Sequence, residues 1–198
     1  MKKINFIMDI GNVLIDFLPL NYLESLFPGD VATQSALNGL IFRSAEWLEL
    51  DRGTFRHPEA IRRFVAQRPD LEPQIRRTMD GLPTMLTPIS ATVALLPRIK
   101  AAGHGLYFLS NYHADLVPFI HEYIPFFSRF DGGVFSCDVH MLKPNPDIYG
   151  ALLQRYGLDP ASCVFFDDTL ENVAAANHAG IRGVLFTGPE DIAQYLDA

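Results

Sequence analysis

Six polar residues end apolar runs or stand in the loops just beyond them: Asp9, Ser110, Asn111, Lys143, Asp167 and Asp168. Asp9 stops Phe6-Ile7-Met8, Ser110-Asn111 stops Leu106-Tyr107-Phe108-Leu109, and Asp167-Asp168 stops Cys163-Val164-Phe165-Phe166. Lys143-Pro144 lies in the loop after Gly133-Val134-Phe135-Ser136. Each has a bland reading alone: a lone Asp or Ser caps a turn, a loop lysine is solvated, an Asp-Asp pair makes a turn. Together they suit one chemistry. Asp9 and Asp168 can hold a hard cation such as Mg²⁺ through oxygen. Lys143 and the cation can share the charge of a phosphate, while Ser110 and helix-start N–H groups donate to its oxygens. A carboxylate pressed against phosphorus under that clamp can act as a nucleophile and become an aspartyl-phosphate.

Positioning these groups requires an α/β fold. The run over 4–8 has no alternation, as expected of a strand buried on both faces of a parallel sheet. Further strands are expected over 105–109, 133–136, 163–166 and 183–186, separated by helices over 92–102, 146–156 and 170–179. Pro97 marks a kink or the first turn of a new helix. Pro146 opens the next helix, with Gly157 and Gly180 closing the last two. Strands alternating with helices give a doubly wound parallel sheet, and strand carboxyl ends share one edge of such a sheet. The polar stops then converge in one crevice.

Between the first strand and the rest the pattern changes. From about Leu20 to Pro88 helical spacing replaces β-branched runs. Leu37, Leu40, Ile41, Ser44 and Leu48 fall on one helix face, and Ile61, Phe64 and Val65 repeat the pattern. Gly53 suits a helix end and Thr54 the N-cap of the next helix. Trp47, the single tryptophan, is expected in the core of this insertion, with the cleft as its alternative. The division is thus an α/β core over 1–17 and 88–198 and a helical insertion over 18–87.

Bulk properties narrow the partners. A chain of 198 residues, 48% hydrophobic, buries one core plus a small accessory layer. A formal charge of −7 excludes binding of nucleic acid or anionic membrane through a broad basic surface. Cys137 and Cys163 each sit in an apolar stretch and read as buried free thiols. No stretch is long enough to span a bilayer, and a cytoplasmic location is expected.

With these residues in place, the chain resembles the haloacid dehalogenase superfamily of phosphohydrolases. Asp9-Ile10-Gly11-Asn12-Val13 stands where that family has its nucleophile motif. Leu109-Ser110-Asn111 matches its second motif, Lys143-Pro144 its third, and Phe166-Asp167-Asp168 through Asn172 its fourth. The insertion is similar to the family's small helical cap. Asp-x-Gly-Asn-Val and Phe-Phe-Asp-Asp look most like bacterial α-D-glucose-1-phosphate phosphatases. The resemblance implies Asp9 as nucleophile and Lys143 as its catalytic partner. Ser110, Asn111 and Lys143 would bind phosphate. Mg²⁺ would sit on Asp9, the Gly11 carbonyl and Asp168, with Asp167 and Asn172 orienting their neighbours. The substrate would be a small phosphorylated metabolite such as a sugar phosphate.

One departure matters. Family phosphatases carry a second Asp two positions after the nucleophile, as general acid and base; here that position is Gly11. Its loss lowers rates by about 10²–10⁴ unless another group substitutes. Asp16, His113 and a protic group of the substrate are the candidate surrogates, although a surface position is the ordinary expectation for His113. The alternatives are a metal-independent dehalogenase, a phosphate-binding protein with impaired catalysis, and a phosphoacceptor receiver domain. Family dehalogenases tend to carry an aromatic residue where Gly11 stands, and the receiver places its acidic pair first.

Overall fold

The computed structural model describes residues 3–196. Its centre is β1 (Asn5–Met8). A two-residue strand, β2 (Ile15–Asp16), follows, then five helices: α1 (Pro19–Leu26), α2 (Val31–Leu37), α3 (Ala45–Arg52), α4 (His57–Gln67) and α5 (Glu72–Asp80). The chain returns through β3 (Thr87–Pro88), which pairs antiparallel with β2, Asp16 opposite Thr87. The insertion is therefore joined to the sheet by a two-stranded neck. Beyond it come α6 (Ser90–Val93), α7 (Leu96–Ala101), β4 (Gly105–Ser110), α8 (Val117–Tyr123), β5 (Gly132–Phe135), α9 (Ser136–Val139), α10 (Pro146–Tyr156), β6 (Cys163–Asp167), α11 (Leu170–His178), β7 (Arg182–Leu185) and α12 (Glu190–Ala193).

The main sheet has the order β5-β4-β1-β6-β7 and is parallel throughout. β1 is buried because it lies between β4 and β6, Ile7 pairing with Tyr107 on one side and Phe165 on the other. Alternate β1 residues feed two cores. Phe6 and Met8 pack with Leu96 and Ile99 of α7, and Phe6 stacks on Phe166 at 5.9 Å. Ile7 joins Ile148, Tyr149 and Leu152 of α10 on the other face. Helices cover both faces, as a parallel sheet requires. Among the described residues no helix is long and apolar enough to cross a membrane.

Several local expectations need correction. The stripe from Leu37 to Leu48 is not one helix. After α2 the chain makes a π turn over Asn38–Phe42, and Ser44 starts α3 as its N-cap, accepting the Trp47 N–H at 3.1 Å. A serine hydroxyl at that point satisfies a helix-start donor and favours a new helix over the old. Leu48 consequently faces solvent. Gly53 closes α3 in the left-handed region (φ 73°), but Thr54 caps nothing: its hydroxyl donates to Glu49 Oε2 at 2.6 Å, and α4 begins at His57. The segment 92–102 holds two helices, α6 and α7, and Pro97 lies in the first turn of the second, one of the two expectations for it, where its missing N–H is harmless. Ser136 belongs to α9 rather than to the preceding strand. Cys137 and Cys163 are free and buried.

Candidate active site

The carboxyl ends of β1, β4 and β6 and the loop before α10 meet at a cleft of about 250 Å³. Asp9 leaves β1 with its backbone N–H still donating to the Phe166 carbonyl at 2.9 Å, so the sheet itself aims the residue. Its Oδ1 accepts from the Ile10 N–H at 2.8 Å and lies 2.8 Å from Lys143 Nζ. Both contacts fall on the same oxygen.

Lys143 is buried and reaches Asp167 Oδ2 as well, at 2.7 Å. Asn111 holds the lysine in place. Its side-chain amide accepts from the Lys143 N–H at 2.8 Å and donates to the Lys143 carbonyl at 3.1 Å. That reciprocal pair commits the side-chain oxygen and one of the two amide N–H groups of Asn111 to the lysine backbone. Ser110, at the end of β4, lines the cleft beside Asp9.

The acidic pair divides sharply. Asp167 is fully buried and saturated: it takes Lys143, the Thr169 N–H at 2.9 Å, and the Asn172 amide at 3.0 and 3.1 Å to its two oxygens. Asp168 is exposed, and its Oδ2 accepts from Asn12 Nδ2 at 2.9 Å. Asn12 sits in the left-handed region (φ 55°), a conformation asparagine tolerates, and its other amide atom accepts the Phe17 N–H at 2.9 Å. It thereby ties the turn after β1 to the acidic loop.

The electrostatics leave a deficit. Carboxylate oxygens of Asp9, Asp167 and Asp168 lie within 4.8 Å of one another. Lys143 is the ammonium that contacts two of these three carboxylates. Burial pushes the Asp9 carboxyl up to about 7, Lys143 pulls it down, and Asp167 adds to the rise. Burial opposes the charge on Lys143, but Asp9 and Asp167 outweigh it and hold the ammonium above its ordinary range. A divalent cation on the Asp9 and Asp168 oxygens fits both the oxygen-rich donor set and the missing positive charge.

Gly11 lines the cleft and lies outside the left-handed region; a Cβ built there meets only Phe17 Cβ, at 3.9 Å. Neither backbone strain nor crowding demands glycine. Asp16, half-buried on β2, also lines the cleft. His113 is not a surface residue. It is buried, with Nε2 3.1 Å from Asp51 Oδ1 and Nδ1 3.3 Å from His57 Nε2, its ring edge-on to Trp47. Nδ1 is in hydrogen-bond reach of His57, while Nε2, although close to Asp51, is left without a hydrogen bond on the cleft wall. Trp47 lines the cleft as well. Sequence reasoning did not single out Asp51, Met85 or Leu86 in the wall; apolar spacing carries no sign that separates a core face from a cleft face.

The match to known proteins falls on this frame. Residues 6–180 match the family model of haloacid dehalogenase-like hydrolases. The chain belongs to that family. This membership removes the receiver-domain alternative. Among relatives of this hydrolase, a sesquiterpene phosphatase of Aspergillus oryzae is 28% identical over 183 residues, covering 91% of this chain and 88% of that one. A chloroplast flavin mononucleotide hydrolase of Arabidopsis thaliana is 23% identical over 154 residues, 76% of this chain and 60% of its own. The fold is similar to that of a family enzyme from Bacteroides thetaiotaomicron solved with magnesium (TM-score 0.79, 20% identity, 99% of each chain). It also resembles the L-2-haloacid dehalogenase of Xanthobacter autotrophicus (TM-score 0.68, 18% identity, 99% of this chain and 83% of that one).

Proposed function

We propose that this hydrolase is a Mg²⁺-dependent phosphomonoesterase that works through an aspartyl-phosphate on Asp9. The observation that carries the reading is the arrangement of Asp9, Lys143, Asp167 and Asp168: a nucleophile-ready carboxylate beside a buried ammonium, in a cluster short of positive charge. Asp9, Asp168 and the Gly11 carbonyl would hold the cation, which when bound neutralises phosphoryl oxygens and orients the ester.

The protein's own groups do the rest. Asp9 directs its second oxygen at phosphorus, forming an O–P bond as the ester O–P bond breaks and its electron pair leaves on the organic oxygen. Lys143, held by Asp167 and Asn111, stabilises the charge on the transferring group without moving. Asn172 and Thr169 saturate Asp167 so that it remains an anchor for the lysine. Water then attacks phosphorus and releases phosphate and Asp9. The helical segment 18–87 acts as a cap over the cleft, entering and leaving through the β2–β3 neck and excluding water during the first step. The relative with phosphatase in its name, which this chain matches over 91% of its length, supports the reaction class.

A small phosphorylated metabolite suits a cleft of about 250 Å³. The sugar phosphate implied by the motif resemblance is one arm of the test. Gly11 favours a second reading, a phosphate-binding protein that turns over poorly. Phosphate release from p-nitrophenyl phosphate with Mg²⁺, and its loss with EDTA, supports the phosphatase. Binding of phosphate without release from any ester supports the second reading. Metal-independent release of halide from a haloacid would instead establish a dehalogenase.

A further inference from the structure

We infer that the organic part of the substrate is uncharged and apolar: an alkyl, prenyl or aryl monophosphate rather than a sugar phosphate or an ester carrying a second acid. This rests on the phosphatase reading above and names its substrate class.

Away from Asp9 and Lys143, the wall of the cleft is made by Ile15, Phe17, Trp47, Met85, Leu86 and Leu116. They come from separate segments: the two sides of the neck, helix α3, and the loop before α8. They converge on one space, with Asp16, Asp51, Tyr112 and His113 as the polar residues among them, so the wall is mainly apolar. Trp47 is held rigidly there by Phe17 at 5.9 Å, Phe42 at 4.8 Å and His113 at 4.2 Å between ring centroids. A fixed indole presents a flat apolar surface at little entropic expense on binding.

The polar side chains of Asp51, His57 and His113 lie against one another. Asp51 Oδ1 faces His113 Nε2 at 3.1 Å, and His113 Nδ1 faces His57 Nε2 at 3.3 Å. The Tyr112 hydroxyl is buried and has no hydrogen-bond partner, which leaves one group at that end to receive a single substrate hydroxyl. The several hydroxyls of a sugar would lose water against this wall and find few partners, which is unfavourable for each unpaired group.

Charge argues the same way. Among the described residues lining the cleft, Lys143 is the sole lysine or arginine, and it is held by Asp9 and Asp167. The lining adds the carboxylates of Asp16 and Asp51 to those of Asp9 and Asp168. A second phosphate or a carboxylate on the substrate would face like charge with no cation to receive it.

The test compares kcat/KM of the Mg²⁺-loaded enzyme for p-nitrophenyl, n-butyl, n-hexyl and geranyl phosphate against glucose 1-phosphate and phosphoglycolate. Each methylene buried on the wall raises kcat/KM about fourfold, so hexyl exceeds butyl by roughly fifteenfold. Glucose 1-phosphate and phosphoglycolate fall at least about tenfold below hexyl phosphate. Trp47→Gln removes the chain-length gain, through KM, so that the hexyl-to-butyl ratio of kcat/KM falls to near one. A binding arm needs no turnover. Trp47 is the single tryptophan, so its emission in Asp9→Asn shifts with hexyl phosphate at lower concentration than with glucose 1-phosphate. Hydrolysis of p-nitrophenyl phosphate together with a flat chain-length series, or with glucose 1-phosphate or phosphoglycolate ahead of hexyl phosphate, would overturn the inference while leaving the phosphatase intact. No turnover of any ester with Mg²⁺ would bring down the phosphatase reading and this inference with it.

Discussion

Replacing Gly11 by Asp restores a carboxylate where family phosphatases keep their general acid, and the structure says what it should do. Gly11 does not use a left-handed conformation, and its new Cβ would meet only Phe17 Cβ, in ordinary contact at 3.9 Å. Removing a glycine at such a site stabilises by about 0.4–1 kcal/mol through the unfolded chain. Added repulsion from Asp9, Asp16 and Asp168, which line the same cleft, offsets that gain, and the melting temperature stays within about 4 °C of wild type. A positioned proton donor contributes about 10²–10⁴ in rate, equivalent to about 2.7–5.4 kcal/mol of barrier. That gain belongs to esters whose leaving oxygen needs a proton. The kcat for n-hexyl phosphate should therefore rise at least about tenfold, while p-nitrophenyl phosphate, with its stable leaving anion, changes less than about threefold. Steady-state kinetics on both esters beside a thermal melt make the assay. A folded Gly11→Asp protein with no gain on the alkyl ester would refute the missing-acid argument. It would point to Asp16 as the proton donor already in use, and Asp16→Asn would then remove activity on the alkyl ester alone.

Other consequences follow from the same geometry. Asp168→Ala should weaken Mg²⁺ binding, measured by calorimetry, more than Asp167→Ala does, because Asp168 is open and Asp167 is saturated by protein donors; the reverse order would show the pair has been assigned wrongly. Lys143→Met leaves the buried carboxyls of Asp9 and Asp167 without their ammonium and should destabilise the fold by about 3–5 kcal/mol, read by denaturant titration; an unchanged midpoint would mean the lysine is solvated. Burial, reinforced by His113, lowers His57 from 6.5 to about 4. The unfolded chain therefore binds the extra proton first, and the neutral histidine's contribution to stability is full above pH 6.5 and lost as pH falls toward 4. His57→Gln should flatten the melting temperature across that window, and an unaltered slope would contradict the burial argument.

The strands and the polar residues at their ends were legible because a buried parallel strand is an unbroken apolar run, so a carboxylate or serine that stops it is conspicuous. Pro146 and Gly157 likewise mark the ends of α10 through backbone constraints that do not depend on tertiary packing. What was not legible depends on contacts between distant segments. Asn111 reads from sequence as a phosphate ligand, and its closing on the backbone of Lys143 is a second role that spacing does not reveal. His113 looks like a surface residue until Asp51 and His57, carried by the insertion, are brought against it. Trp47 fits either a core or a cleft face by spacing, and the choice follows from Ser44, which ends the preceding helical run and rotates α3 onto a new axis. The separation of Asp167 from Asp168 came from the family motif; its physical basis is the hydrogen bonds of Thr169 and Asn172.

The central claim is that Asp9 attacks phosphorus, and turnover by Mg²⁺-loaded Asp9→Asn tests it most directly. The substitution removes one of the two carboxylates on Lys143 and leaves the lysine paired with Asp167, so the fold should melt as wild type does. Phosphate release from p-nitrophenyl phosphate should drop at least about a thousandfold, because an amide neither attacks phosphorus nor completes the cation site. A folded Asp9→Asn protein keeping more than about a tenth of wild-type turnover would show that Asp9 is not the nucleophile.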